Sequence, residues 1–130
     1  MLIPLVEDYI RLHPEYPDLH NTLGMLYAKT NKLLKAENAY KEAIRINPRY
    51  LNARINLFNT LHILKKNQEA LEHGRYLSTQ DAPYPDVYCT MSSVLLELDL
   101  PDEALQFATK AIDLRPRYAS THYIIGKIHH

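Results

Sequence analysis

The chain is poor in the residues that most often build catalytic or metal chemistry. It has a single cysteine, Cys89, in 130 residues. One thiol cannot close an internal disulfide and cannot supply a cysteine-based zinc site. Glycine occurs three times, at Gly24, Gly74 and Gly126, so no glycine-rich loop is available to cradle a phosphate. Net charge is also absent, since 15 Lys and Arg balance 15 Asp and Glu. A nucleic-acid binder usually shows a basic balance, and none is expected to bind here. No run approaches the roughly 18 apolar residues of a membrane-spanning helix, so no membrane partner is expected. The first residues are apolar at Leu2, Ile3, Leu5 and Val6, but they lack a basic head and soon meet Glu7 and Asp8. They do not read as a secretory signal. With the lone thiol, this points to a reducing, cytoplasmic setting.

What remains is an ordinary folded composition, 46% apolar and 23% charged, which excludes a disordered chain. Its organising feature is a repeat. The string AIRINPRY at 43–50 returns as AIDLRPRY at 111–118, an offset of 68, or twice 34. The step of 34 joins Ala36, Ala70 and Ala104, and joins Leu23, Leu57, Met91 and Ile125. Pro14, Pro48 and Pro116 share the grid, with Pro83 one residue late. Within a period the spacing is helical: Leu23 and Tyr27 are i, i+4, and Ala36, Tyr40 and Ala43 are i, i+4, i+7. Asn31 marks a turn between two helices, and Pro48 marks where the second must stop. The pattern predicts antiparallel helix pairs with helices at about 3–13, 18–30, 33–47, 52–65, 68–80, 86–98, 102–114 and 120–130. Glu7-Asp8 and Asp102-Glu103 read as acids in first helical turns, where the dipole favours them.

These residues resemble the tetratricopeptide repeat, a 34-residue helix-turn-helix with the pattern W-x2-L-G-x2-Y, then A-x3-F, then P. Leu23-Gly24, Tyr27, Ala36, Tyr40, Ala43 and Pro48 fill those slots, with His20 in the tryptophan slot and Tyr40 in the phenylalanine slot. A later copy holds Met91, Leu95, Ala104, Ala111 and Pro116, with Ser92 in place of glycine. The copy between them is degenerate: Phe58 stands in the glycine slot and Gly74 in the large aromatic one. Residues 1–16 then read as the second helix of a partial repeat, 17–50 as a repeat, 51–84 as the degenerate repeat and 85–118 as a repeat. Residues 119–130 read as the first helix of another partial repeat, whose end His129 and His130 form. Apolar terminal helices would leave ends able to self-associate, or mark a piece of a longer array.

The resemblance implies an all-α, right-handed superhelix whose concave surface is lined by each repeat's first helix. On this chain that surface would hold Asn21, Met25 and Lys29 from the first full repeat, and Asn52, Ile55, Asn56, Asn59 and His62 from the second. Asp86, Cys89 and Ser93 follow from the third, and Tyr123 from the last helix. Family members that clamp a terminal carboxylate use Lys, Arg and Asn in the groove; Asp86 and Thr90 stand in the partner slots here and argue against such a clamp. Asparagine amides both donate and accept, which suits the backbone of an extended peptide.

Catalysis has little to stand on. Cys89 has no base or orienting group linked to it by a motif, and it reads as a small apolar residue of the inner surface. The seven histidines are scattered, and none shows the paired spacing of a zinc peptidase. No metal and no cofactor are expected. The function expected is a non-catalytic module, a scaffold or adaptor, that binds a peptide or protein segment in its groove. The alternative is a regulatory or substrate-recruiting segment of a larger enzyme, or of a secretion or assembly component.

Overall fold

The computed structural model describes residues 2–80 and 84–114. Among these are seven helices and no strand: α1 (Leu2–Leu12), α2 (Pro17–Lys29), α3 (Leu33–Ile46), α4 (Leu51–Ile63), α5 (Asn67–Ser78), α6 (Pro85–Glu97) and α7 (Pro101–Leu114). The expected boundaries hold to within one or two residues. The helix expected at 120–130, with Tyr123, His129 and His130, lies outside the described residues. The chain forms two compact units, one of Met1–Leu64 and one from Lys65 onward.

The starts and stops of these helices follow the 34-residue step. Tyr16, Tyr50 and Tyr84 are the N-caps of α2, α4 and α6; each is extended, and none caps through its side chain. Pro17, Pro85 and Pro101 each occupy the first position of their helices. There the missing N–H is no loss and the fixed φ suits the helix. The hairpin turns repeat as well. Asn31, Lys65 and Asp99 are left-handed, with φ of 61°, 63° and 63°. At the first of these turns the Asn31 N–H bonds Ala28 O at 3.1 Å and the Lys32 N–H bonds Tyr27 O at 2.8 Å. At the last, the Asp99 N–H bonds Leu96 O at 3.1 Å and the Leu100 N–H bonds Leu95 O at 2.9 Å. These pairs satisfy carbonyls that a helix end would otherwise leave open.

In the first unit α2 packs on α1, α3 and α4, and α3 also packs on α4. The α2–α3 seam shows why small residues recur. Gly24 lies under the Tyr40 ring so closely that a Cβ there would sit 2.6 Å from Cδ1 and 2.9 Å from Cζ. Ala36, Ala39, Ala43 and Ala53 complete the close approaches, and Leu57, Phe58 and Leu61 fill the remaining core with no exposure. His20, in the tryptophan slot, is buried, with its Nε2 3.0 Å from the Pro14 carbonyl oxygen.

In the second unit α6 packs on α5 and α7. Ser92, where the first hairpin has glycine, is fully buried and donates its hydroxyl to Ala104 O at 2.8 Å. A buried hydroxyl is tolerated because this acceptor is within reach. Glu97 accepts from Lys65 Nζ and Asn67 Nδ2, each at 2.8 Å, which ties the start of α5 to the end of α6.

One acid pair departs from the expectation. Asp102 and Glu103 do stand in the first turn of α7, but Glu7 and Asp8 lie in the middle of α1. Side-chain partners, not the dipole, account for them. Tyr27 donates its hydroxyl to Glu7 Oε2 at 3.0 Å, and Asp8 pairs with Arg11.

Candidate binding face

In the first unit the first helices of two successive hairpins, α2 and α4, touch each other, and α3 packs against both. One face of each therefore turns away from α3. On α2 this register holds Asp18, Asn21, Thr22, Met25 and Lys29. All are exposed except Asn21, which is buried. On α4 it holds Asn52, Asn59 and Ile63, which are exposed, with Ile55, Asn56 and His62 half-buried between them.

A relay of hydrogen bonds crosses from α4 to α2. Asn56 Nδ2 donates to Asn21 Oδ1 at 3.0 Å. Asn21 Nδ2 in turn donates to the Tyr50 hydroxyl at 3.4 Å, and also approaches the Met25 sulfur at 3.8 Å. The Tyr50 hydroxyl in turn donates a hydrogen bond to the Asp18 carboxylate. Burial first, and then this bond to Asp18, push the Tyr50 hydroxyl above its usual pKa. The relay saturates Asn21, whose oxygen and amide protons are all directed at neighbours. Asn56 is half-buried, with its amide nitrogen held by this bond. Of the four asparagines expected on this surface, Asn21 and Asn56 are thus brought together, with Asn21 buried and Asn56 half-buried.

Tyr50 was not among the expected surface residues. The signal for it lay in the 34-residue step from Tyr16 to Tyr50 to Tyr84, which places a tyrosine just before each first helix. The sequence reading used Tyr50 only as the end of AIRINPRY, the string that fixes the period.

In the second unit Asp86 is exposed and Ser93 half-buried on α6. Cys89 turns inward, buried against Ala111 with Tyr88 and Leu96 packed beside it. It was expected to line the groove surface; its thiol is instead taken up in the packing against α7. Tyr123 lies outside the described residues.

The chemistry on offer at the α2–α4 face is hydrogen bonding framed by apolar contacts. Asn52, Asn56 and Asn59 can each donate or accept, and Met25, Ile55 and Ile63 supply apolar surface beside them. Among the described residues no three His, Cys, Asp or Glu side chains gather as a metal site. None of the described helices is long and apolar enough to cross a membrane.

Comparison with known proteins places these features in context. The family description Tetratricopeptide repeat matches residues 17–50 and again residues 85–118. Human Protein O-mannosyl-transferase TMTC3 is 26% identical over 136 residues, covering 91% of this chain. The Anaphase-promoting complex subunit CDC16 of Saccharomyces cerevisiae is 22% identical over 114 residues, covering 82% of it. The chain spans 14% of the length of each of these two relatives and 11% of human TMTC1. Among solved structures, MamA 41-end from Desulfovibrio magneticus RS-1 superposes with a TM-score of 0.93 at 15% identity, over 97% of this chain and 71% of that one. YrrB, a TPR protein with an unusual peptide-binding site, superposes with a TM-score of 0.84 at 18% identity, over 95% of this chain and 63% of that one. At such identities the likeness establishes the fold.

Proposed function

Because this chain belongs to the tetratricopeptide repeat family, an all-α fold of interaction repeats, we propose that it is a non-catalytic adaptor that binds an extended segment of another protein. The proposed docking face of the first unit is that of α2 and α4. The segment would run over Met25, Ile55 and Ile63, with its backbone bonded by Asn52, Asn56 and Asn59. On α6, Asp86 and Ser93 form the corresponding face of the second unit. The observation that carries this reading is the Asn56–Asn21–Tyr50–Asp18 relay, which fixes an amide at the surface before any partner arrives. Pre-organisation of this kind lowers the ordering cost of binding. The single thiol suits a reducing, cytoplasmic location.

Lys29 stands without a second Lys or Arg among the α2 and α4 residues named on this face, and Asp18 opposes a carboxylate, so an internal, weakly charged segment fits it better than a terminal carboxylate. The test is selection of peptide ligands from a displayed random library against the folded chain. Asn59→Ala with Ile63→Ala should weaken the selected ligands tenfold or more while leaving the melting temperature in place. Ligands that bind both proteins equally would sink the proposal.

A second reading makes the chain a recruiting segment of a larger enzyme. The similarity to the O-mannosyl-transferases, over 14% or less of their length, is what favours it. An interaction face of the same kind would serve either role.

A further inference from the structure

The turn between α2 and α3 departs from the repeat in two ways at once. The first is charge. No acid occurs between Asp18 and Glu37, while Lys29, Lys32 and Lys35 fall at steps of three across the turn. Other cations meet acids: Lys41, Arg45, Lys65 and Arg75 pair with Glu37, Glu42, Glu97 and Glu103. No carboxylate among the described residues pairs with Lys29, Lys32 or Lys35, and Lys35 lies instead over the Tyr27 ring, its Nζ 5.7 Å from the centroid. Lys32 and Lys35 also stand at the start of α3, the positive end of its dipole, where cations are disfavoured. One and two periods after Lys35 stand Glu69 and Glu103, acids in the first turns of α5 and α7.

The second departure is apolar. Leu34 is 61% exposed, in a slot that holds Gln68 and Asp102 in the later copies. A single exposed leucine needs no explanation, but Leu34 has company. With Leu33 and with Leu64 at the end of α4, both half-buried, it lines an open hollow of about 470 Å³ that Lys32 and Lys35 also line. Neither departure serves the fold. The leucine gains little burial, and the lysines oppose the dipole. Together they leave one hollow short of an apolar neighbour and of negative charge.

We infer that this hollow docks an acidic segment of another protein. One apolar side chain of the segment sits on Leu33, Leu34 and Leu64, and Asp or Glu to either side face Lys32 and Lys35. Lys29 adds to the attraction, and the positive end of α3 favours the same carboxylates. A membrane surface fits less well, because polybasic membrane segments gather roughly four to eight cations and the leucines here line a hollow. Single-stranded nucleic acid would call for aromatic rings to stack on, and none lines this site. The hollow shares no residue with the α2–α4 face, so the two sites take different segments and either can fail without the other.

The test uses displayed peptides with a central Leu or Phe and with Asp or Glu two residues to either side, which puts all three side chains on one face of an extended segment. A library with Lys at the acidic positions is the control. The folded chain should select ligands from the acidic library and none from the control. Lys32→Glu with Lys35→Glu should weaken those ligands tenfold or more, and so should Leu34→Ser. The melting temperature should not fall on charge reversal, because both lysines are exposed and acids suit a helix start. Asn59→Ala with Ile63→Ala should bind the same ligands as the parent does. Selection of no acidic ligand overturns the inference, as do ligands that bind the charge-reversed chain equally well. Ligands weakened only by Asn59→Ala with Ile63→Ala belong to the α2–α4 face and overturn it too. A chain that takes up no acidic peptide but cosediments with vesicles of phosphatidylserine and phosphatidylcholine overturns it in favour of a lipid surface.

Discussion

Replacing Gly24 with alanine should destabilise this protein, although alanine is the better helix former. At an open helical site the change would gain about 1 kcal/mol. Here the new Cβ would lie 2.6 Å from Tyr40 Cδ1, against an optimum of roughly 3.5–4.0 Å for carbon atoms. The ring cannot swing clear, because Tyr40 is only 2% exposed. Overpacking of this kind costs about 1–3 kcal/mol, occasionally more. The ring must give by an ångström or so, so the upper part of that range applies and a net loss of about 1–2 kcal/mol remains. Urea titration followed by far-UV circular dichroism would read it as a lower midpoint at unchanged slope. The decisive step is the double mutant. With Tyr40→Leu already in place the obstructing edge of the ring is gone, and Gly24→Ala should turn neutral or stabilising by up to about 1 kcal/mol. A stabilising Gly24→Ala in the unaltered chain, or equal losses in both backgrounds, would refute the steric argument. The chain already contains a parallel case: 68 residues on, Ser92 carries a Cβ in the glycine slot, and the position matching Tyr40 is the small Ala108, also buried.

Other substitutions follow from the same structure. Asp99→Gly should stabilise by about 0.5–1 kcal/mol, because a left-handed side chain costs roughly 1–2 kcal/mol and the greater freedom of unfolded glycine offsets part of that; Asn31→Gly should gain less, since asparagine tolerates this conformation, and thermal melts would rank the two. Burial pushes the Tyr40 hydroxyl up to about 12, so its contribution is complete below pH 10 and is lost as pH rises from 10 towards 12, where the unfolded chain sheds the proton first. Tyr27 and Tyr50 are raised in the same direction, each by burial first. Urea midpoints between pH 8 and 11 should therefore fall above pH 10, and fall less in Tyr40→Phe. Asn21→Ala should cost about 1–2 kcal/mol by stranding the amide of Asn56 and the hydroxyl of Tyr50, whereas Asn59→Ala, at an exposed position, should change the midpoint by no more than about 0.5 kcal/mol.

The fold was largely legible because its signals are local and repeated. A period of 34 needs no tertiary information: Ala36, Ala70 and Ala104 recur in step, and proline marks helix starts and stops. The surface was only partly legible, because helical periodicity states which way a residue faces but not what it touches. Asn21 and Asn56 both fall on the outward register, yet Asn21 is buried by the relay through Tyr50. Periodicity also left Lys65 and Asp99 without a turn signal. Neither is glycine or asparagine, so only the backbone reveals that all three turns share one conformation. Glu7 and Asp8 were misplaced because acids were assigned to a helix start when their true partners, Tyr27 and Arg11, sit on another helix and one turn on.

These two levels of legibility have one physical origin. A seam must exclude everything except its neighbour, so it constrains size, and size is written in residue type: glycine under tyrosine, and buried alanines along α3. An interaction face is constrained by a partner whose shape the chain does not contain. What the chain can encode is readiness, an amide held still before binding. On the proposed reading the Asn56 relay is readiness of that kind. If Asn21→Leu, which removes the relay while keeping bulk, left ligand affinity untouched in a folded protein, the amide would be incidental. The α2–α4 face would then rest on Met25, Ile55 and Ile63 alone. A loss of affinity in an Asn21→Leu chain that stays folded at the assay temperature, despite the lower midpoint that the stranded amide and hydroxyl impose, would instead place the cost in orientation.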